Sequence, residues 1–300
     1  MSAKFCMFEK MSEEELNACF PKVMQKLPKK IGTFFQKKYI FRIFPIKETM
    51  IECMGETALQ VKLPLTDIWL ERFLPEEIKG MINAMMIEKG YDRVIADKRL
   101  KPYVEESFLI DGRAVPYCFL QEILLYTTKL YQYENKRVRI MVMDDEKQPL
   151  TACVVRALAA KWNHVVIVTE RKEFWEDIHE ELYDQWGLLL QITDKSNREE
   201  LPCEIVLELT KEPPYLTRMY PRNAIVLDFE PSKAKKKCIL AKRKDIRYYH
   251  RYVLGDGTGL IDVSVLQAVI LGDTTWLWQS SCDTLPTVSA EYGICVREIT

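Results

Sequence analysis

The sequence predicts an α/β protein, with a doubly wound parallel sheet in its C-terminal half preceded by a smaller α+β domain. Three observations carry this. From Val138 onward, apolar runs of strand length (VRIMVM, HVVIVT, LLLQIT, CEIVLELT and NAIVLDF) are separated by other stretches, the first two of them helical. The runs are almost continuously apolar, as expected for strands covered on both faces by helices. Right-handed crossovers between parallel strands then give a doubly wound topology. Before about residue 135 helices and alternating strands come in mixed order, which is an α+β pattern.

Taken in order, Ser12 followed by Glu13, Glu14 and Glu15 is a capping box, and Leu16, Phe20, Val23 and Leu27 continue at helical spacing, predicting a helix over 13–27. Tyr39 to Ile46 and, more weakly, Thr57 to Leu63 alternate and are rich in aromatic and β-branched residues, so two strands are expected. Glu76 to Lys89, between Pro75 and Gly90, predicts a helix, and Arg93 to Ala96 a short strand. Asp111-Gly112 signals a turn, and Phe119 to Tyr133 reads as an amphipathic helix expected to pack between the halves. Glu134 to Arg137 is a polar joint, which sets the expected domains at 1–135 and 136–300. In the second domain the strands are expected at 138–143, 164–169, 188–193, 203–210 and 223–229, with helices from Leu150 to Trp162 and Phe174 to Trp186.

Composition limits the function. With 43 lysines and arginines against 44 aspartates and glutamates, no overall field holds the chain on nucleic acid or an anionic membrane. No apolar run approaches the roughly 18 residues that span a bilayer, and the N-terminus lacks an apolar signal segment, so a cytoplasmic location is expected. Nine cysteines without a CxxC pair suit neither a disulfide framework nor a zinc site. Cys238 follows three lysines, but its apolar continuation, Ile239 and Leu240, reads as a strand. Ser264, Ser280 and Ser281 have no nucleophile-elbow context.

The segment KRVRIMVMDDEKQPLTACVVRALAAKWNHVVIVTERKEF, followed by CEIVLELT, AIVLDFEP and GDGTGLIDVSVLQAVILG, resembles the NAD(P)-binding Rossmann domain of the shikimate dehydrogenase and glutamyl-tRNA reductase type. The resemblance covers about the C-terminal half. It implies that Arg171 and Lys172, in the TERK that follows the second strand, meet the 2′-phosphate of NADP, and that Gln267 lies near the substrate. The sequence departs from the family at the glycine-rich turn, where it has Asp144, Asp145, Glu146, Lys147, Gln148 and Pro149. A pyrophosphate needs glycines for close backbone approach and free N–H groups at the helix start, and Pro149 removes one of these. Each carboxylate would repel a phosphate at about 4 Å by roughly 1–4 kcal/mol. The loop is therefore degenerate for its usual ligand.

Three readings of the acidic loop stand side by side: capping of the next helix, a cation site at Asp144 and Asp145, or a surface for a basic partner. The strand and acidic pair of VRIMVMDDE also resemble a response-regulator receiver, but Glu208 stands where the phosphorylated aspartate is needed, and glutamate cannot take that role. RYYHRY at 247–252 reads either as an anion- or ring-binding run or as a strand with alternating faces. His164 opens a strand, and His179 lies among helix carboxylates where solvated ion pairs are expected. The basic run from Lys233 to Lys244 reads as a solvated loop, and Trp276 and Trp278 as domain-interface anchors.

The expected function is a binding or regulatory module for a small molecule or protein partner, its ligand in a cleft bordered by Asp144, Asp145, Arg171, Glu208 and Asp228. The alternative is an NAD(P)-dependent oxidoreductase with an atypical cofactor loop.

Overall fold

The computed structural model describes residues 3–146, 149–194, 201–211, 217–257, 259–271, 285 and 293–300. The chain divides into two compact units, Met1–Gly112 with Ser264–Gly272, and Arg113–Val263 with Asp273–Thr300. The expected anchors Trp276 and Trp278, the serines Ser280 and Ser281, and the loop residues Lys147 and Gln148 lie outside the described residues.

In the first unit β1 (Cys6–Lys10) leads to helices α1 (Glu13–Cys19), α2 (Lys22–Gln25) and α3 (Lys29–Ile43). The Ser12–Glu15 capping box forms as expected. The single helix expected over 13–27 is divided, because Pro21 disfavours helical backbone at Phe20, which is extended with ψ 142°. A larger correction concerns Tyr39 to Ile46, which is not a strand: residues 39–43 end α3, and Phe44 terminates it in left-handed backbone with φ 42°. Its aromatic and β-branched residues lie around a helix from which Ile40 alone of the stretch is fully buried, so alternation there did not report a sheet.

Strands β2 (Lys47–Cys53) and β3 (Glu56–Leu63) form a hairpin through Met54-Gly55, with φ 51° and 78° as a two-residue primed turn requires. Helices α4 (Asp67–Arg72) and α5 (Pro75–Lys89) and strand β4 (Val94–Ala96) follow. The sheet order is β2-β3-β1-β4, with β1 parallel to both neighbours. Phe8, Leu16, Val61, Trp69, Ile78 and Ile82 build its core. A second cluster joins Phe5, Ala58 and Ile110 to Ala268 and Val269 from the returning segment.

The second unit opens with α6 (Val115–Cys118) and α7 (Leu120–Leu130). Then come β5 (Arg139–Met143), α8 (Leu150–Ala159), β6 (His164–Thr169), α9 (Lys172–Trp186), β7 (Leu190–Asp194), β8 (Ile205–Glu208), β9 (Ile225–Asp228), α10 (Lys233–Lys242) and β10 (Arg247–Tyr249). All five expected strands are present, and the sixth, β10, comes from the run whose reading the sequence left open. The order is β10-β9-β8-β5-β6-β7, and every pairing is parallel. Met141, Met143, Val166, Val206 and Val226 cover one face with Ile239 of α10. Ile140, Val142, Ile167, Leu207 and Leu227, at alternate positions, are fully buried on the other. The basic run is a second correction. Residues 233–242 are helical rather than a solvated loop, with Ser232 as N-cap accepting from Lys235 N at 3.1 Å, and Cys238 is therefore a helix residue.

A small antiparallel sheet pairs β11 (Tyr252–Gly255) with β12 (Leu260–Ile261) and β13 (Cys295–Ile299). Between β12 and β13 the short helix α11 (Val263–Leu266) runs into a π-helical turn, Gln267–Leu271. No helix among the described residues is long and apolar enough to cross a membrane.

Candidate functional site

The strand order of the second unit reverses at β5, from which the chain winds first to β6 and β7 and then, on the other side, to β8, β9 and β10. In an open parallel sheet such a reversal leaves a crevice outside the carboxyl ends of the two strands that flank it, here β5 and β8. The second unit is a Rossmann-like domain. Register places Met143 beside Val168 and Glu208, and Glu208 beside Asp228, so the polar residues at these strand ends form one edge.

Two buried polar networks occupy that edge. The first is centred on Asp144, just past β5, whose side chain has no exposed surface. Arg171 grips it with two bonds, Nε to Oδ2 at 2.8 Å and Nη2 to Oδ1 at 2.9 Å. Thr169 Oγ1 at 2.7 Å and Trp175 Nε1 at 3.0 Å also donate to Oδ2. The guanidinium lies 4.3 Å from the centre of the Phe174 ring, and its side chain remains a quarter exposed. A carboxylate that accepts four charge-assisted or buried bonds ties the end of β5 to the start of α9. Asp144 is thus not a cap of α8, whose N-cap is Pro149 and whose start has no side-chain cap. Both oxygens that a cation would need are engaged by donors. Among the described residues no group of three or more His, Cys, Asp or Glu could hold a metal ion. Asp145 and Glu146 are half-buried, and Glu146 Oε1 accepts from Glu170 N at 3.2 Å.

The second network joins Glu208, Asp228 and Lys235, all with fully buried side chains. Lys235 Nζ donates to Asp228 Oδ1 at 2.6 Å, Thr210 O at 2.6 Å and Glu230 O at 3.3 Å, one acceptor for each of its three protons. Glu208 Oε1 stands 3.5 Å away. Glu208 also accepts from Thr210 N at 3.0 Å and from the hydroxyl of Tyr220, while the Tyr248 hydroxyl donates to Asp228. Tyr117 donates to Glu230 at 3.0 Å, and Tyr252 to the Asp228 carbonyl at 3.2 Å. Burial pushes the Tyr117, Tyr220 and Tyr252 phenols well above their ordinary values, so they stay protonated and donate.

Two carboxylates share one ammonium here, and the protonation equilibrium reflects it. Burial raises the Asp228 carboxyl, Lys235 opposes the rise, and Glu208 adds to it. Burial likewise raises Glu230, against the opposing bond from Tyr117. A raised carboxylate holds its proton more tightly folded than unfolded. Its contribution to stability is complete below the ordinary carboxylate pKa and is lost as pH rises through the folded value. Glu230→Gln, which keeps an acceptor for Tyr117, is therefore expected to gain stability relative to the parent between mildly acidic and neutral pH. Urea titrations of both proteins across that range check the slope.

Of the residues singled out from sequence, Asp144 and Arg171 meet in one network and Glu208 and Asp228 in another. The carboxylates of Asp144, Glu208 and Asp228 are buried rather than bordering an open cleft, because each is covered by the donors it serves. Lys172 sits beside Arg171 and pairs with Asp194 at 3.4 Å, at the end of β7. Gln267 is in the returning segment that belongs to the first unit, not in the unit that carries Arg171 and Lys172. His250 stacks on Tyr248 at 5.7 Å, with Lys236 Nζ 3.4 Å from its Nε2, and burial followed by the Lys236 charge lowers its pKa. Sequence reasoning missed the burial of Lys235 and the roles of Tyr117 and Tyr220, while Tyr248 and Tyr252 fall in the RYYHRY run it singled out. Ser232 at cap spacing before Lys235, with Ile239 one turn on, was the available signal for a helix. A separate cavity of about 520 Å³ is lined by α7, the end of α8 and the end of α9, including Gln121, Arg156, Glu181 and Trp186.

No protein-family model matches the chain. No curated protein matches it either. Among solved structures, it is similar to L-tryptophan dehydrogenase from Nostoc punctiforme, at 11% identity and TM-score 0.34 over 81% of this chain and 68% of that one. It is also similar to shikimate 5-dehydrogenase from Listeria monocytogenes in complex with shikimate and NAD, at 10% identity and TM-score 0.32 over 81% and 84%. A third is the ligand-free 5-ketofructose reductase of Gluconobacter sp. strain CHM43, at 12% identity and TM-score 0.36 over 75% and 84%. Likeness at this level assigns no activity to the chain.

Proposed function

We propose that the second unit is a binding or regulatory module that takes a small molecule other than an ordinary dinucleotide in the crevice between β5 and β8. The observation that carries the reading is the reversal of strand order there within an all-parallel sheet. The residues around the crevice fit an ordinary dinucleotide unevenly. At the pyrophosphate position the glycine-free turn supplies Asp144, Asp145 and Glu146, and Pro149 withholds an N–H, so this end does not fit. Past β6, Glu170, Arg171 and Lys172 are of the types that read an adenosine ribose or its 2′-phosphate.

That second feature favours a competing reading, an NAD(P)-dependent oxidoreductase with an atypical cofactor loop. The two separate in a thermal-shift series with NADP, NAD, ATP and Mg²⁺. Under the module reading, neither dinucleotide raises the melting temperature. Stabilisation by NADP that is lost in Lys172→Ala would refute the module reading and favour the oxidoreductase one. Lys172 is the better probe of the pair, since its half-exposed contact with Asp194 is worth little to stability whereas Arg171 holds Asp144. Indifference to both dinucleotides would refute the oxidoreductase reading.

A further inference from the structure

The near-zero net charge of the chain conceals a segregated segment. Between Glu15 and Glu48 the sequence contains no acidic residue, and its charged side chains are eight lysines and arginines. Most of this segment is α2 and α3. Beneath α3, Ile40 is fully buried, Tyr39 packs edge-on against Phe20 at 5.8 Å, and Lys37 is tied to Glu77 at 3.3 Å. The outer side is different. Ile31, Phe34, Phe35, Lys38, Phe41 and Arg42 fall at helical spacings of three and four along one stripe, and all six are exposed, Phe34 by 64% and Phe41 by 54%. A globular helix ordinarily turns such a stripe inward. Here the inward stripe is already occupied, and the surplus aromatic residues face out beside Lys38 and Arg42, with Glu76, Glu77 and Glu88 lining a hollow only at the Phe41–Arg42 end. Among the described residues neither Lys38 nor Arg42 forms an ion pair.

We infer that the outer face of α3 docks on an anionic lipid surface, lying in the headgroup plane without crossing the bilayer. The chemistry argues for lipid over an acidic protein surface. Charge complementarity alone would ask only for the cations, whereas three phenylalanines and an isoleucine interleaved with Lys38 and Arg42 match an interface whose outer layer is anionic and whose next layer is hydrocarbon. Long basic side chains reach the headgroups while the rings enter the acyl boundary. The expectation from net charge concerned the whole chain; over the short range at which a charged surface acts, only this local excess of cations counts.

The test is sedimentation of the full-length protein with phosphatidylcholine vesicles with and without phosphatidylserine. Binding is expected to the phosphatidylserine vesicles alone and to weaken in high salt. Lys38→Glu/Arg42→Glu is expected to abolish it, and Phe34→Ser/Phe41→Ser to weaken it about tenfold, both with unchanged melting temperature because the side chains are exposed. Failure to bind either vesicle overturns the inference. So does binding undiminished in Phe34→Ser/Phe41→Ser, which would mark a purely electrostatic surface of the kind an acidic protein uses; retention on immobilised polyglutamate would then confirm that alternative.

Discussion

Lys235→Met is expected to destabilise the protein by roughly 3–5 kcal/mol, a larger loss than any exposed substitution on the same helix. The methionine fills the space of the lysine stem but leaves Asp228 and Glu208 facing each other with the ammonium gone, in a region where water cannot replace it. For a domain of this size the melting temperature should drop by about 6–20 °C. The decisive comparison is the triple variant Lys235→Met/Asp228→Asn/Glu208→Gln, which removes the opposed charges together and should recover most of the loss. Chemical denaturation of parent, single and triple variants measures both numbers. A single variant within about 0.5 kcal/mol of the parent would mean that Lys235 is solvated and that the buried triad does not form.

Asp144→Ala is expected to cost about 2–4 kcal/mol. Breaking a buried ion pair costs roughly 3–5 kcal/mol, reduced here because the released Arg171 is a quarter exposed and can reach water. The loss should also appear locally, since Asp144 holds Thr169, Arg171 and Trp175 together. Trp175 fluorescence and amide exchange at the start of α9 are the readouts. A simple helix-end charge would be worth only about 0.3–1 kcal/mol, so a small effect would return Asp144 to the capping role the sequence suggested. Asp144→Asn, which keeps the shape and one acceptor, should fall between the two.

Much of the second unit was legible because its strands are nearly continuously apolar. VRIMVM, HVVIVT and NAIVLDF could be satisfied only by burial on both faces, and each forms a strand of the parallel sheet. Tyr39 to Ile46 failed for the opposite reason. Its residues have β-type composition, but composition reports what fits a half-buried pleat only where a sheet exists to receive it. Pro28 opened a helix upstream, and Ile40 anchored the stretch within it. The lysine run failed because charge was read as exposure, a sound average that Lys235 breaks. The acidic residues that make its burial tolerable lie 7 and 27 positions away in Asp228 and Glu208, at the ends of two strands.

The sequence alone determined the α/β alternation, most of the strands, the capping box at Ser12 and the absence of glycines after β5. These depend on local preferences and on periodicity, which neighbouring residues suffice to express. Only the tertiary structure decided that Asp144 belongs to Arg171 and Lys235 to Asp228 and Glu208, that Gln267 returns to the first unit, and that the aromatic stripe of α3 faces outward. Each of these turns on which charges share a buried space and which surfaces find a partner. Such pairings are fixed by the closing of the sheet and its crossovers, and a one-dimensional pattern does not contain them.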